Sequence, residues 1–216
     1  MLLNHRRALK IAGALLAATV VMFAAVALDD GHGPIQALDD AWLDAMVAIR
    51  WTPLVWLAKI MAFTGSVWVN WPLRILALGV LAWKRRWVQL SAFALAIVSS
   101  EILIGTVKVL YERPRPPGSL IDTSGFSFPS GHAIAGAVTA VGLVIVLLQP
   151  GSRRWKWELR AAAFAFLMAA SRPYLGAHWL TDVVAGGLLG VTLAIGWPAL
   201  LQELRDRRRA MVRASG

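Results

Sequence analysis

The chain contains no cysteine, which excludes disulfide frameworks, thiolate metal centres and thiol nucleophiles. Acidic residues are scarce: 12 Asp and Glu stand against 22 Lys and Arg, for a formal net charge of +10. Internal repeats, low-complexity tracts and linker-like stretches are also missing, so a single domain over 1–216 is expected. Excess cation suggests nucleic acid only where it gathers on one folded face. Here it falls in short clusters between apolar runs, so a nucleic-acid partner is excluded and the lipid bilayer is the partner expected. What abounds is apolar: 58% of the 216 residues are hydrophobic and the mean hydropathy is +0.61, too high for a soluble domain of this length. Eleven tryptophans suit interfacial belts, although tryptophan also packs in ordinary cores.

The expected fold class is all-α, a polytopic membrane protein with six transmembrane helices in a bundle. Six apolar runs, at about 8–28, 67–83, 88–107, 131–149, 159–176 and 179–199, are long enough to cross a bilayer as helices. Basic clusters set the orientation. Arg6, Arg7 and Lys10 precede the first run; Lys84, Arg85 and Arg86 join the second and third; Arg153, Arg154, Lys156 and Arg160 join the fourth and fifth; Arg205, Arg207, Arg208, Arg209 and Arg213 follow the sixth. With six crossings all four clusters share one face, which the positive-inside rule makes cytoplasmic, together with both termini.

Between the first two runs, 29–66 begins with Asp29, Asp30, Asp39, Asp40 and Asp44 and continues as "AWLDAMVAIRWTPLVWLAKIMAF". Its acidic start suits the outer face, and its apolar part reads as an interfacial helical segment or one dipping into the bundle. A full crossing at 52–66 would move Lys84 to Arg86 outside, so none is expected. The first run also imitates a signal peptide, with Ala25-Val26-Ala27 as a cleavage site. It exceeds the usual apolar length of roughly 7 to 15 residues, and a retained helix is expected.

Four cations, Lys108, Arg113, Arg115 and Arg172, break the charge rule by lying at span ends on the outer side, where His132, His178 and Asp182 join them. Cations gathered at the mouth of a helical bundle suggest an anion site. In "SFPSGH", Ser130 can cap the following helix, whose first-turn N–H groups attract a phosphate and leave His132 beside it. A simple cap with an incidental histidine is the bland alternative. In "SRPYLGAHWLTD", His178 and Asp182 share a face if a helix starts near 178. The carboxylate would then orient the ring and leave its other nitrogen basic, as a nucleophilic histidine requires. In "KVLYERPRPP", Arg115 offers a bidentate fork to phosphate oxygens and Lys108 a compact charge, or else a snorkelling lysine and a solvated loop. Deeper in the bilayer, Arg74 and Glu101 stand at similar depth and are expected to pair between the second and third spans.

Taken together, Lys108-x6-Arg115-Pro116, Pro129-Ser130-Gly131-His132 and Ser171-Arg172-x5-His178-x3-Asp182 closely resemble the three-part signature of the type 2 phosphatidic acid phosphatase superfamily. All three parts match in order, within 108–182. The resemblance implies a metal-independent, cofactor-free lipid phosphate phosphatase whose site faces outward. It makes His178 the nucleophile that becomes a phosphohistidine, Asp182 its orienting carboxylate and His132 the general acid. Lys108, Arg115 and Arg172, with the Ser130 hydroxyl and the Gly131 backbone, would hold the phosphoryl oxygens. Arg113 lies outside the signature and reads equally as a solvated loop cation. The substrate implied is a lipid phosphate or diphosphate, with a polyprenyl (undecaprenyl) diphosphate favoured and phosphatidylglycerophosphate or phosphatidic acid the alternative. Phosphoryl transfer to another lipid is a related outcome. A serine hydrolase built on Ser130 fails on proximity to His132, and a non-catalytic lipid transporter leaves the acid, nucleophile and carboxylate unexplained.

Overall fold

The computed structural model describes residues 5–149, 151 and 153–214. Among them the regular structure is helical throughout: α1 His5–Leu28, α2 Pro34–Ala48, α3 Thr52–Thr64, α4 Val67–Trp83, α5 Trp87–Tyr111, α6 Gly131–Gly136, a π-helical turn Ala137–Val141, α7 Gly142–Leu147, α8 Arg154–Tyr174 and α9 Leu180–Ala214. By length and composition α1, α5 and α9 can each cross a membrane; α3 and α4, joined across a 44° bend, pass that test together. Apolar residues point outward along α1, α4 and α8, among them Val21 (68% exposed), Leu76 (65%) and Phe166 (70%). Such side chains need a hydrocarbon surrounding, and the chain is an integral membrane protein.

The segment 29–66, expected at the interface, folds into α2 and α3. Asp29 starts α2: its carboxylate accepts the N–H groups of Gly31, Gly33, Ile35 and Gln36, and Pro34 supplies the preset φ of a first helical turn. Pro53 plays the same part in α3. The C-terminal basic cluster extends α9 well beyond 199 as helix.

The core joins α4 (Ala77, Leu81), α5 (Phe93, Ala96, Ile97), the α6–α7 stretch (Ile134, Val138, Val146) and α9 (Leu189). Small residues set the spacing between α6 and α9. A methyl group added at Gly186 would lie 2.7 Å from the Ser130 carbonyl oxygen, and one at Gly190 would lie 2.8 Å from that of Ile134. Gly186-x3-Gly190 thus lets two backbones touch, as close helix crossings in membranes require. Ser130 N–H donates to the Asp182 carbonyl oxygen at 3.0 Å, fixing the start of α6 beside the start of α9.

Across the bundle, Arg74 and Glu101 form the expected pair, with Nη1 and Oε1 2.6 Å apart. Arg74 is almost wholly buried, whereas the Glu101 side chain is 40% exposed. Arg74 Nε also donates to Thr139 Oγ1 in the π-helical turn at 2.9 Å.

Candidate active site

The three signature segments converge where the last turn of α5, the loop 112–130, the first turn of α6, the end of α8 and the start of α9 meet. Lys108 leaves the last turn of α5 and donates to the Phe126 carbonyl. Two Arg-Pro pairs then keep the chain extended, and Arg115 turns back over the site. Its guanidinium donates to the carbonyls of Gly125 (2.9 Å), Ser124 (2.8 Å), Phe126 (3.2 Å) and Ala177 (2.7 Å). Its Nη1 also stands 3.2 Å from His178 Nε2.

A guanidinium only donates, so the contact with Arg115 makes Nε2 of His178 the acceptor and puts the ring proton on Nδ1. Nδ1 faces Asp182 Oδ2 at 3.5 Å, longer than a good hydrogen bond. His178 precedes α9 rather than lying within it, yet the ring still reaches the carboxylate. Burial pushes the imidazole down to about 4; Asp182 opposes the shift, and Arg172 and Arg115 add to it. At neutral pH the ring is uncharged, and its Nε2 lone pair is engaged only by the Arg115 N–H.

Arg172 is buried at the end of α8, and its Nε has no hydrogen-bond partner among the described residues. An unpaired buried guanidinium N–H is costly, and an anion would satisfy it. Lys108 lies within electrostatic range of Arg115, Asp182 and Arg172. Ser130 caps α6, its hydroxyl accepting from Ala133 N–H at 3.4 Å. His132 stands one residue into α6, within electrostatic range of Arg172, His178 and Arg115. Its Nε2 is 3.0 Å from the Ala62 carbonyl of α3, to which it donates, leaving Nδ1 as the second ring nitrogen. The structure thus gathers Lys108, Arg115, Ser130, Gly131, His132, Arg172, His178 and Asp182 in one region.

Arg113 departs from the solvated-loop reading. Its side chain is 11% exposed and lies over the Trp179 ring, 5.6 Å from the centroid. One nitrogen donates to Asp182 Oδ1 at 2.8 Å and the other to Asp39 Oδ2 at 2.7 Å. Asp39, from the acidic start of the 29–66 segment, is buried on α2 and accepts from both the N–H and the hydroxyl of Thr181. Sequence spacing alone does not reveal this, because Asp39 and Arg113 meet only when α2 folds back over the start of α9.

Among the described residues the chain is a helical membrane protein with a buried His-Asp pair ringed by cations, a setting that attracts an anionic group. The chain belongs to the PAP2 superfamily, whose sequence profile matches residues 89–206, more than half of its length. It is 33% identical over 168 residues to phosphatidylglycerophosphatase B of Bacillus subtilis, covering 74% of this chain and 81% of that protein. It is 37% identical over 106 residues to an undecaprenyl-diphosphatase of Sulfolobus acidocaldarius, covering 46% of this chain and 47% of that one. The fold is similar to the crystal structure of the first transmembrane PAP2 type phosphatidylglycerolphosphate phosphatase from Bacillus subtilis: TM-score 0.75, 25% identity, 91% of this chain and 96% of the other. These relatives and structural neighbours are phosphatases, and the chain is an enzyme of that family.

Proposed function

We propose that the chain removes a phosphate from a membrane lipid phosphate or diphosphate through a phosphohistidine on His178. The observation that carries this reading is the His178 ring, buried and uncharged, with Nδ1 toward Asp182 and Nε2 held by Arg115, the residue that would grip the substrate. A phosphoryl group entering the site would draw Arg115 onto its oxygens by charge-assisted hydrogen bonds. Nε2 would then form a bond to phosphorus as the bond to the lipid oxygen breaks, and His132, as an imidazolium whose Nε2–H holds the Ala62 carbonyl, would give that oxygen the proton on its Nδ1. Lys108, Arg115 and Arg172, with the Ser130 hydroxyl and the Gly131 N–H, would hold the equatorial oxygens, supplying the stabilisation that a metal provides elsewhere. Water then attacks phosphorus, Nε2 departs, and His132 accepts the proton.

Topology supports the same reading. With the six crossings expected from the apolar runs, and α2 and the α3–α4 bend at the outer face, the four basic clusters would lie inside and this site outside. An apolar groove of about 860 Å³ between α8 and α9 reaches Pro173, Leu180 and Val183 beside the site, a place for a lipid tail arriving sideways from the bilayer. Among head groups we favour a polyprenyl diphosphate such as undecaprenyl diphosphate. Phosphatidylglycerophosphate is the second reading, favoured by the broader coverage of the Bacillus subtilis relative.

The test is phosphate release from undecaprenyl diphosphate, phosphatidylglycerophosphate and phosphatidic acid in detergent, with and without a chelator, for wild type and His178→Ala. Release that survives the chelator and vanishes in the variant is expected. Release abolished by the chelator, or retained by the variant, overturns the mechanism; phosphorylated lipid in place of free phosphate identifies a transferase.

A further inference from the structure

The Arg113 network bears on the charge of Asp182. Asp182 is fully buried and makes three contacts: Oδ1 accepts from Arg113, Oδ2 accepts from Trp179 N–H at 2.9 Å, and Oδ2 faces His178 Nδ1. Arg113 Nη1 is shared with Thr181 Oγ1 at 2.8 Å, and its Nη2 with Gln36 Oε1 at 3.0 Å. Asp39 holds the far side of Arg113 and, through Thr181 N–H at 2.9 Å, caps the start of α9. A guanidinium bridging two buried carboxylates fixes both in angle as well as distance.

The charges decide what this geometry is for. Arg113 alone would neutralise Asp182 just where negative charge is needed, because the ring of His178 becomes cationic as Nε2 bonds to phosphorus. With Asp39 present, two carboxylates and one guanidinium leave one net negative charge facing Nδ1. We propose that Arg113 and Asp39 are positioning residues for the reaction: Arg113 locks the Asp182 carboxylate in place, and Asp39 cancels the charge of Arg113 so that Asp182 still stabilises the imidazolium. This rests on the phosphohistidine reading above. It also gives α2 a part in the chemistry although none of its residues belongs to the signature.

The readout is the pH dependence of kcat, whose acid limb follows protonation of His178 in the substrate complex. The charged and titratable groups around that ring are Asp182 from α9, Arg172 from α8, Arg115 from the loop and His132 from α6. Lys108 of α5 lies in range of Arg115, Asp182 and Arg172, and Arg50 reaches Gly176. All of these are unchanged in Asp39→Asn, Arg113→Gln and the double variant. Removing the Asp39 charge makes the ring harder to protonate, so the acid limb moves to lower pH; removing Arg113 moves it to higher pH; each shift is about one unit. In the double variant the net charge is restored and the limb returns to the wild-type position. Each single variant is expected to lose about 10- to 100-fold in kcat with little change in KM, as misplacement of a catalytic group does.

The enzyme is assayed in detergent on a lipid phosphate that wild type turns over and His178→Ala does not, with thermal melts to check folding. If turnover persists in His178→Ala, the phosphohistidine reading itself fails. If that control holds but the single variants leave the limb in place, shift it in the same direction, or fail to cancel in the double variant, the positioning role is overturned. Should the neutral variants not fold, Asp39→Glu and Arg113→Lys keep the charges but not the fork geometry. They are expected to lower kcat with the limb unmoved, and full kcat in both refutes the proposal.

Discussion

Replacing Gly186 by alanine tests whether the α6–α9 contact sets the geometry of the site. The added methyl carbon would sit 2.7 Å from the Ser130 carbonyl oxygen, whereas ordinary contact begins at 3.4 Å, so the helices must part by about 0.7 Å. The blocking atom is backbone and cannot rotate away. Ser130 heads the helix that carries His132, and it donates its N–H to the Asp182 carbonyl; separation therefore strains the link between the two halves of the site. Overpacking of this size costs about 1–3 kcal/mol, offset by up to about 1 kcal/mol from replacing a helical glycine. A shift near 1 Å lowers kcat by up to about 10²-fold. Gly187 is an internal control, since a methyl group there meets nothing within 4 Å. Gly187→Ala gains the same helix propensity without the clash, so the difference between neighbouring variants isolates the steric effect. Thermal melts in detergent and kcat on a lipid phosphate give both readouts. Indistinguishable Gly186→Ala and Gly187→Ala enzymes would refute the reasoning.

The Arg74–Glu101 pair gives a second prediction. Arg74→Ala and Glu101→Ala both destabilise, and a double-mutant cycle yields coupling of about 1–2 kcal/mol; additive effects by thermal or denaturant unfolding would show that the 2.6 Å contact contributes nothing. A third concerns His132: general acid catalysis supplies roughly 10² to 10⁴ in rate and matters most for a poor leaving group. His132→Ala should therefore lose far less activity on an aryl phosphate than on an alkyl lipid phosphate, while His178→Ala loses both. Equal losses in the His132 variant would remove it from the acid role.

The membrane character and the main helices were legible in the sequence because they depend on local quantities: apolar run length, the proline before a first turn, and basic clusters between runs. Span one read as 8–28 is α1, His5–Leu28, and span three read as 88–107 is α5, Trp87–Tyr111. The segment 29–66 was less legible, since amphipathic stretches of intermediate hydropathy fold according to what they pack on. Tyr174 of α8 makes this concrete: its hydroxyl accepts from Trp51 N–H at 3.0 Å and donates to the Ile49 carbonyl at 3.3 Å, holding the joint between α2 and α3. The Arg74–Glu101 pair was legible for a different reason, because a charge deep in hydrocarbon needs a partner at its own depth.

The sequence by itself determined that the chain lives in a bilayer, and the three-part resemblance within 108–182 led us to expect eight residues in one site. Taken singly, Lys108 and Arg115 read equally as a snorkelling lysine and a solvated loop, and only the three segments together point to one site. Only the tertiary structure decided the electrostatic setting of those residues. Asp39 and Arg113 lie 74 positions apart, in segments that look like an acidic surface and a solvated loop, and no local pattern joins them. The fold brings Asp39 and Arg113 into one buried network with Asp182, where each charge must be balanced because burial costs its solvation, and that balance sets how much negative charge His178 feels.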